Sequence, residues 1–496
     1  MGLGGKHFCI PALLYILVQS LEDLLLYALK VAGELGASYA EARYHKVDST
    51  GFVSRNGVVI SAYSEVSEGI AVRVLAEGGL GFASTNMLGK EGVQRVVELA
   101  VSRARAHARL LKSPISFSDA RLGRARYSVT PVKGFTSLSL EEKLALHREF
   151  WERVSESVKE AKVPVTTLWY SEWTEEKLIM NTDGAYISSA IPRLTVEYNT
   201  VVHHPQKGYA QRFAFFGASG GLEWLEKWRL VESGGEETRA LERVLLEGVE
   251  PPKEAVPVVV GSEVVALIVH ESCGHPSEAD RILGREAAQA GKSFIKPSML
   301  GQRIGNEYAT VIDDPTIPGS YGFYLYDDEG VAARARYLYK EGAINEFLHN
   351  RATAKTLGVE SNAAARTMDY ASEPIVRMAN TYLKPGDHRF EELLEDIKLG
   401  VYVKSYMEWN IDDERWSQRY VGLEAYIIEN GELTKPVRNP VLEITTKAFY
   451  SNIDAVGKEL RFYAGTCGKG EPSQGVPVWF GGPDVRLRSA RLGVVA

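Results

Sequence analysis

The sequence predicts an α+β protein, with an N-terminal domain of helices and β-hairpins before a strand-rich C-terminal domain that carries a buried motif helix. Three observations support this fold class. Asn56-Gly57 and Gly78-Gly79 are hairpin turns between segments of alternating hydrophobicity. Apolar residues recur at helical spacing from Leu21 to Leu35. Pro251-Pro252 is typical of a linker and divides the chain into two parts.

Local signals justify the N-terminal elements in turn. After the first helix and the hairpins, apolar residues from Val93 to Leu111 predict a long second helix. The segment from Lys112 to Ser137 is polar and is expected to be irregular. Ser139 and Glu142 form a capping box, which predicts a helix that reaches about Ala161.

The remaining signals place strands on both sides of the linker. A turn at Asp183-Gly184 separates two strands, and a helix from Glu236 to Glu247 ends at Gly248. Beyond the motif helix, turns at Pro318-Gly319 and Asn430-Gly431 indicate further strands. A chain of 496 residues exceeds the size of a single core. We therefore divide it into an N-terminal extension (1–20), an N-terminal α+β domain (21–250) and a C-terminal domain (255–496).

Composition narrows the range of partners. A net charge of −7 provides no basic surface for nucleic acid, so none is expected. Three cysteines cannot form a disulfide framework, and a cytoplasmic location is expected. The apolar run from Phe8 to Val18 is too short to span a bilayer and no clear cleavage site follows it. A mobile extension or a short packed helix is expected there, and no membrane partner.

The most informative motif is His270-Glu271-Ser272-Cys273-Gly274-His275, which places two imidazoles and a carboxylate within six residues. Zinc binds neutral imidazoles, and a nearby Glu can act as a base. On a regular helix, residues five apart differ by about 500° of rotation, so the two rings would diverge by about 140°. They can converge only if the helix ends or distorts. We expect Ser262 to cap the helix and Gly274, in a left-handed conformation, to end it.

A third protein ligand is needed for a catalytic zinc site, and two cysteines compete for that place. Cys467 lies between Gly465 and Gly468, which let the backbone approach a site closely. Cys273 lies inside the motif itself, and a buried apolar role is the alternative for it. Cys9, in the apolar N-terminal run, is an unlikely ligand.

The His270-Glu-x-x-x-His275 motif followed by Gly465-x-Cys-Gly-Lys469 resembles the TldD/PmbA family, and specifically its motif-bearing TldD type. The resemblance covers the chain from about Leu21 to Gly493. Further similar stretches occur in the same order along the chain: Gly36–Arg43, Asp313–Gly319, Asp327–Gly330, Arg377–Thr381 and Glu424–Gly431. The chain departs from the family at Tyr406–Asp412, where many relatives carry a glycine-rich segment, and it lacks the usual Gly-Gly-Thr near the C terminus.

The resemblance implies a zinc metalloprotease that hydrolyses unfolded or unstructured peptides with little sequence selectivity. It implies one Zn²⁺ per chain, with His270, His275 and Cys467 as ligands and Glu271 as general base for a zinc-activated water. Glu278 and Asp280 also occur in the family block. They could orient the histidines, and a solvated or helix-capping role is the alternative for them. The implied partners are a peptide substrate and a second subunit, in a homodimer or in a heterodimer with a PmbA-type chain.

Two other classes of function remain open from the residues. One is a non-catalytic zinc-binding scaffold subunit of a protease complex, which would gain support if Cys273 closed the site as a fourth ligand. The other is a small-molecule amidohydrolase, because it would share the same zinc and water chemistry. The intact Glu271 argues against the scaffold.

Overall fold

The computed structural model describes residues 12–286, 291–470 and 473–494. The chain is α+β, as predicted, and builds one large sheet in its N-terminal half and several smaller sheets in its C-terminal half. Residues 1–11 of the predicted extension lie outside the described residues, and the first helix begins at Ala12 rather than Leu21. Within the described residues, no helix combines the length and the apolar character needed to cross a membrane.

The N-terminal half contains five helices and seven strands among the described residues. The helices are α1 (Ala12–Glu34), α2 (Lys90–Ala108), α3 (Leu140–Ser155), α4 (Glu223–Trp228) and α5 (Leu230–Glu247). The strands are β1 (Tyr39–Arg55), β2 (Val58–Ala76), β3 (Gly79–Thr85), β4 (Arg124–Ser128), β5 (Lys162–Asn181), β6 (Tyr186–His204) and β7 (Gly208–Ser219). They form one sheet in the order β3-β2-β1-β5-β6-β4, in which β7 also pairs with β6.

Turn and cap signals explain most of these elements. Asn56 and Gly57 both have positive φ (52° and 75°) and join β1 to β2 as predicted. The second turn lies one residue earlier than predicted, at Glu77-Gly78. The capping box at Ser139 forms, but α3 ends at Ser155. The segment predicted to be irregular contains β4, whose pairing partner β6 is distant in sequence.

The C-terminal half surrounds the motif helix with short strands. Its helices are α6 (Ser262–Val269), α7 (Ala279–Ile282), α8 (Arg351–Leu357), α9 (Phe390–Leu394) and α10 (Thr446–Asn452). The first ten strands are β8 (Val256–Val260), β9 (Val311–Asp313), β10 (Arg336–Lys340), β11 (Ala343–Ile344), β12 (Ala365–Arg366), β13 (Ile375–Val376), β14 (Asn380–Leu383), β15 (Leu399–Val403), β16 (Tyr406–Ile411) and β17 (Ser417–Gly422). The others are β18 (Ala425–Glu429), β19 (Glu432–Pro436), β20 (Pro440–Thr445), β21 (Ile453–Val456), β22 (Arg461–Lys469), β23 (Gln474–Gly482), β24 (Val485–Ala490) and β25 (Leu492–Val494).

Two six-stranded sheets enclose α6. Their strand orders are β11-β10-β9-β14-β23-β22 and β19-β18-β15-β8-β24-β21. Every residue of α6 except Glu263 is buried, which fits a helix that is apolar all round. Because β22 ends its sheet and also packs beside β7, the two halves of the chain meet next to this helix.

The start of α6 differs from the prediction. Gly261 occupies the cap position, and Ser262 is the first helical residue. The Asp484 carboxylate accepts a hydrogen bond from the Ser262 N–H (3.0 Å), so a residue from the C-terminal end of the chain supplies the cap. The Ser262 hydroxyl instead donates to the Gly482 carbonyl (2.8 Å).

Candidate metal centre and active-site groove

The helix that carries the motif is distorted near Gly274 and does not end there. From His270 to Gly274 the helix widens into a π-helical turn, and the His275 N–H donates to the His270 carbonyl five residues earlier. Gly274 is right-handed (φ −58°), which corrects the expectation of a left-handed helix end. An α-helical turn brings residues i and i+4 to the same side of the helix, and a π turn does the same for residues i and i+5. The rings of His270 and His275 therefore lie on one side of the helix, with centroids 4.9 Å apart.

Gly274 is required by packing and not by its backbone angles. A Cβ added there would lie 2.0 Å from the Sδ of Met378, which is fully buried. A side chain at residue 274 would therefore force the buried Met378 side chain to shift, and glycine avoids this conflict.

Cys467 lies in β22, far downstream of the motif in the sequence, and its side chain reaches the two histidines. Its Sγ lies 3.4 Å from the Nε2 of His275. One ligand atom from each of His270, His275 and Cys467 lies within 4.8 Å of the other two, and all three residues are buried. Burial raises the pKa of the Cys467 thiol, but His275 and Arg377 beside it outweigh this effect and lower the pKa to about 7.

Glu278 orients His275 from the opposite side of the ring. Its carboxylate accepts a hydrogen bond from the Nδ1 of His275 (3.0 Å), which leaves Nε2 facing Cys467. Arg281 (2.6 Å) and Lys469 (3.2 Å) hold the same carboxylate. Burial would raise the pKa of Glu278, but Lys469, His275 and Arg281 keep it well below its usual range. Asp280 accepts from Lys469 (2.6 Å) and from the backbone N–H of Arg281 (2.9 Å), the two residues that hold Glu278.

These residues fit a zinc ion. Burial lowers the pKa of both His270 and His275, so the imidazoles are neutral near pH 7, as metal ligands must be. Among the described residues, the Nδ1 of His270 is buried without a hydrogen-bond partner. Two neutral imidazoles and an acidic thiol are the donor set that zinc prefers, and three protein ligands leave one position open.

Cys273 lies outside this cluster. It is fully buried, and burial raises the pKa of its thiol well above the usual value, with Ser277 and Tyr339 as its polar neighbours. Its side chain belongs to the core that surrounds α6.

Arg415 is a site residue that the sequence did not single out. Its guanidinium forms a buried ion pair with the Glu271 carboxylate. Arg415 lies between β16 and β17, directly after the segment Tyr406–Asp412 that departs from the family pattern. That departure was the available signal, but it gave no indication of which side chain reaches the motif.

The cluster opens onto a groove of about 770 Å³ between β7 and β22. Its walls are rich in aromatic side chains from both halves of the chain: Phe213, Phe215, Phe216, Trp224, Trp228, Tyr406, Trp409, Phe462, Tyr463, Trp479 and Phe480. Arg212 of β7 crosses beside the groove and pairs with Glu263 of α6 (2.6 Å) and with Glu237 of α5 (2.7 Å). This ion-pair network fixes the N-terminal wall relative to the motif helix.

Three family models match the chain: PmbA/TldA metallopeptidase domain 1 over residues 40–104, the central domain over 133–245 and the C-terminal domain over 253–493. A metalloprotease from Methanocaldococcus jannaschii is 31% identical over 90% of this chain and 95% of its own length. A zinc metalloprotease TldD homolog from Saccharolobus solfataricus is 28% identical over 94% of this chain and 98% of its own. The crystal structure of TldE from Thermococcus kodakarensis has the same fold (TM-score 0.72, 17% identity, covering 96% of this chain and all of that one).

Proposed function

Because the chain belongs to the PmbA/TldA metallopeptidase family, we propose that it is a zinc-dependent peptidase in which His270, His275 and Cys467 hold the metal and Glu271 is the general base. One observation carries this proposal. The three ligand atoms lie within 4.8 Å of one another, and their residues line, together with Glu271, a groove of about 770 Å³.

A zinc ion bound here would supply a water of lowered pKa (~7) and a Lewis acid for the scissile carbonyl. Glu271 is adjacent to His270 and lines the groove, where it can take a proton and return it to the leaving amine. Glu278 holds His275 in the tautomer that presents Nε2 to the site. Arg415 fixes the orientation of the Glu271 carboxylate through their ion pair.

The groove favours an extended peptide as substrate. β22 is the last strand of its sheet, so its outer edge can pair with a peptide backbone, and backbone pairing selects little among side chains. The aromatic walls can bind apolar side chains. Such side chains are accessible in unfolded segments and are buried in compact folded proteins. We therefore propose unfolded or unstructured peptides as substrates, cleaved with little sequence selectivity.

The decisive experiment is Glu271→Gln. The variant should retain about one zinc per chain, because the carboxylate is not a ligand, and lose at least about a hundredfold in hydrolysis of an unstructured peptide. Metal analysis and peptide cleavage, each with and without chelator, provide the measurements. Glu443→Gln, at a glutamate that is 72% exposed, is the matched control and should keep full activity. Loss of zinc in Glu271→Gln would make Glu271 a ligand. Full zinc with no peptidase activity in the unmodified protein would favour a scaffold or an amidohydrolase.

A further inference from the structure

A second cavity of about 320 Å³ adjoins the groove at β22. Thr466 contributes to the walls of both spaces. Most of the second cavity lies between strands β5 and β6 of the N-terminal sheet and two C-terminal segments, 321–328 and 365–368, and residues of β1, β4 and β23 complete its walls. Its volume is in the range of sites that bind a small ligand.

The acidic groups of this cavity already have hydrogen-bond or ion-pair partners within the protein. Glu175 accepts from Arg193 (2.7 Å) and pairs with Lys177 (3.1 Å). Asp328 also pairs with Lys177 (2.9 Å) and accepts from Thr367 (2.9 Å). Asp327 accepts hydrogen bonds from three backbone N–H groups. None of these carboxylates therefore needs a ligand.

Arg366 differs from these groups. It is only 7% exposed, and its guanidinium donates one hydrogen bond, to the Met378 carbonyl (2.6 Å). Its charged carbon lies 5.3 Å from the centre of the Tyr324 ring. Its other N–H groups have no acceptor among the residues that the structure describes. None of its nitrogens is among the fully buried atoms that lack a hydrogen-bond partner, so these N–H groups keep access to solvent and can take an anion.

The surroundings of Arg366 also favour an anion. Burial lowers the pKa of Arg366 and the neighbouring guanidinium groups of Arg193 and Arg377 lower it further, whereas Tyr324 and Glu175 offset part of this effect. Arg193 already donates to Glu175 and to two backbone carbonyls. An anion in the cavity would thus be bound chiefly by Arg366.

The remaining walls determine what such an anion would carry. They are largely aliphatic and aromatic, and include Val47, Trp173, Ile179, Ile187, Ile191 and Phe323. A planar carboxylate matches the paired donors of a guanidinium, and an apolar body matches these walls. We infer that the cavity is a second binding site, separate from the metal centre, for a small ligand with one carboxylate on an apolar body, such as the free C terminus of a short apolar peptide.

The test uses calorimetry on the zinc-loaded Glu271→Gln protein, which should not cleave the probe. Acetyl-Leu-Leu with a free carboxylate should bind at least about tenfold more tightly than the same compound as a C-terminal amide. Arg366→Gln should abolish this preference, whereas Arg366→Lys should retain part of it. Equal binding of the two compounds, or an unchanged preference in Arg366→Gln, would overturn the inference.

Two further variants separate this site from the metal centre and from loss of folding. His270→Ala, which should remove zinc, should leave the preference for the carboxylate intact. If the preference disappears in His270→Ala and persists in Arg366→Gln, the carboxylate binds at the metal and the second site is disproved. Val47→Trp narrows the cavity without removing a charge, so it should weaken binding even if Arg366→Gln does not fold. A folded Val47→Trp protein that binds acetyl-Leu-Leu normally would contradict the proposal.

Discussion

Arg415 occupies an unusual backbone conformation for a residue with a side chain, because its φ is +67°. Such a conformation costs about 1–3 kcal/mol and persists when surrounding contacts impose it. Here the Arg415 N–H donates to the Asp412 carbonyl, and the Thr446 hydroxyl donates to the Arg415 carbonyl (2.9 Å). These contacts hold the guanidinium against Glu271. Strain at a residue that contacts the proposed base indicates a role in positioning that base.

Arg415→Gly tests this role, because glycine removes the side chain and relieves the backbone strain together. We expect a folded protein whose kcat falls about tenfold to a hundredfold while KM changes little, since the base is misoriented but the groove is intact. Added guanidinium at low concentration should restore part of kcat. Asn430→Gly, at another positive φ (50°) outside the groove, controls for backbone relief. An unchanged kcat, or a change in KM alone, would disprove the positioning role.

The two described cysteines differ in acidity, and this difference predicts which one binds zinc. Cys467→Ala should lose zinc, and Cys273→Ala should keep it, by metal analysis. In metal-free protein, iodoacetamide should modify Cys467 with a half-maximal rate near pH 7, because its pKa is about 7. Cys273 should react far more slowly, because burial raises the pKa of its thiol. Full zinc in the first variant and loss in the second would reverse the assignment.

At the scale of elements, patterns confined to neighbouring residues predicted structure well. The turn at Asn56-Gly57 and the capping box at Ser139 formed because each depends on a few adjacent residues. Strand β4 was not predicted, because its five residues are held by β6, some 60 positions away. The prediction that Ser262 caps α6 was also wrong, because the acceptor, Asp484, comes from the far end of the chain.

The candidate site likewise combines features that neighbouring residues predicted with features that depend on distant residues. The motif indicated that His270 and His275 converge only if the helix ends or distorts, and the π turn provides the distortion. The sequence could not distinguish these outcomes, since the reason lies in the packing of Met378 against Gly274. The pairing of Arg415 with Glu271 was likewise invisible, because 144 positions separate the two residues and only tertiary structure joins them.

Gly274→Ala tests the dependence of the π turn on packing. The backbone angles suit alanine, so any damage must come from the added methyl against Met378. We expect a loss of about 1–3 kcal/mol in unfolding free energy, as for overpacking elsewhere, and weaker zinc binding. Combining it with Met378→Ala should cost less than the sum of the single changes. Gly33→Ala, where nothing lies within 4 Å, is the matched control. Additive losses in the double variant would mean that the two residues do not constrain each other.

At the scale of the whole molecule, the outer half of β2 presents apolar side chains to solvent. Val58 (66% exposed), Ile60 (54%) and Val66 (55%) are its most exposed apolar residues, and a bulge at Ile60, where the pairing with β1 shifts from Ser54–Val59 to Val53–Ser61, interrupts the alternation of faces. β3 pairs with β2 only from Ile70 onward, so this part of β2 also has a free edge. An exposed apolar strand with an unpaired edge is typical of an association surface. We propose that this surface contributes to an assembly of at least two subunits, a homodimer or a heterodimer with a PmbA-type chain, as the family resemblance implies.

Light scattering combined with peptide hydrolysis tests assembly. The unmodified protein should be at least a dimer, and Ile60→Glu should weaken association at least about tenfold, because it places a charge in an apolar contact. Ser61→Glu adds the same charge at the neighbouring polar position without removing an apolar side chain and is the matched control, which should remain associated. If activity requires the groove to be enclosed by a second subunit, dissociated Ile60→Glu should also lose hydrolysis while keeping its zinc. A monomer that cleaves peptides at the full rate would refute the proposal, and equal dissociation of both variants would mean that association does not depend on the apolar side chain of Ile60.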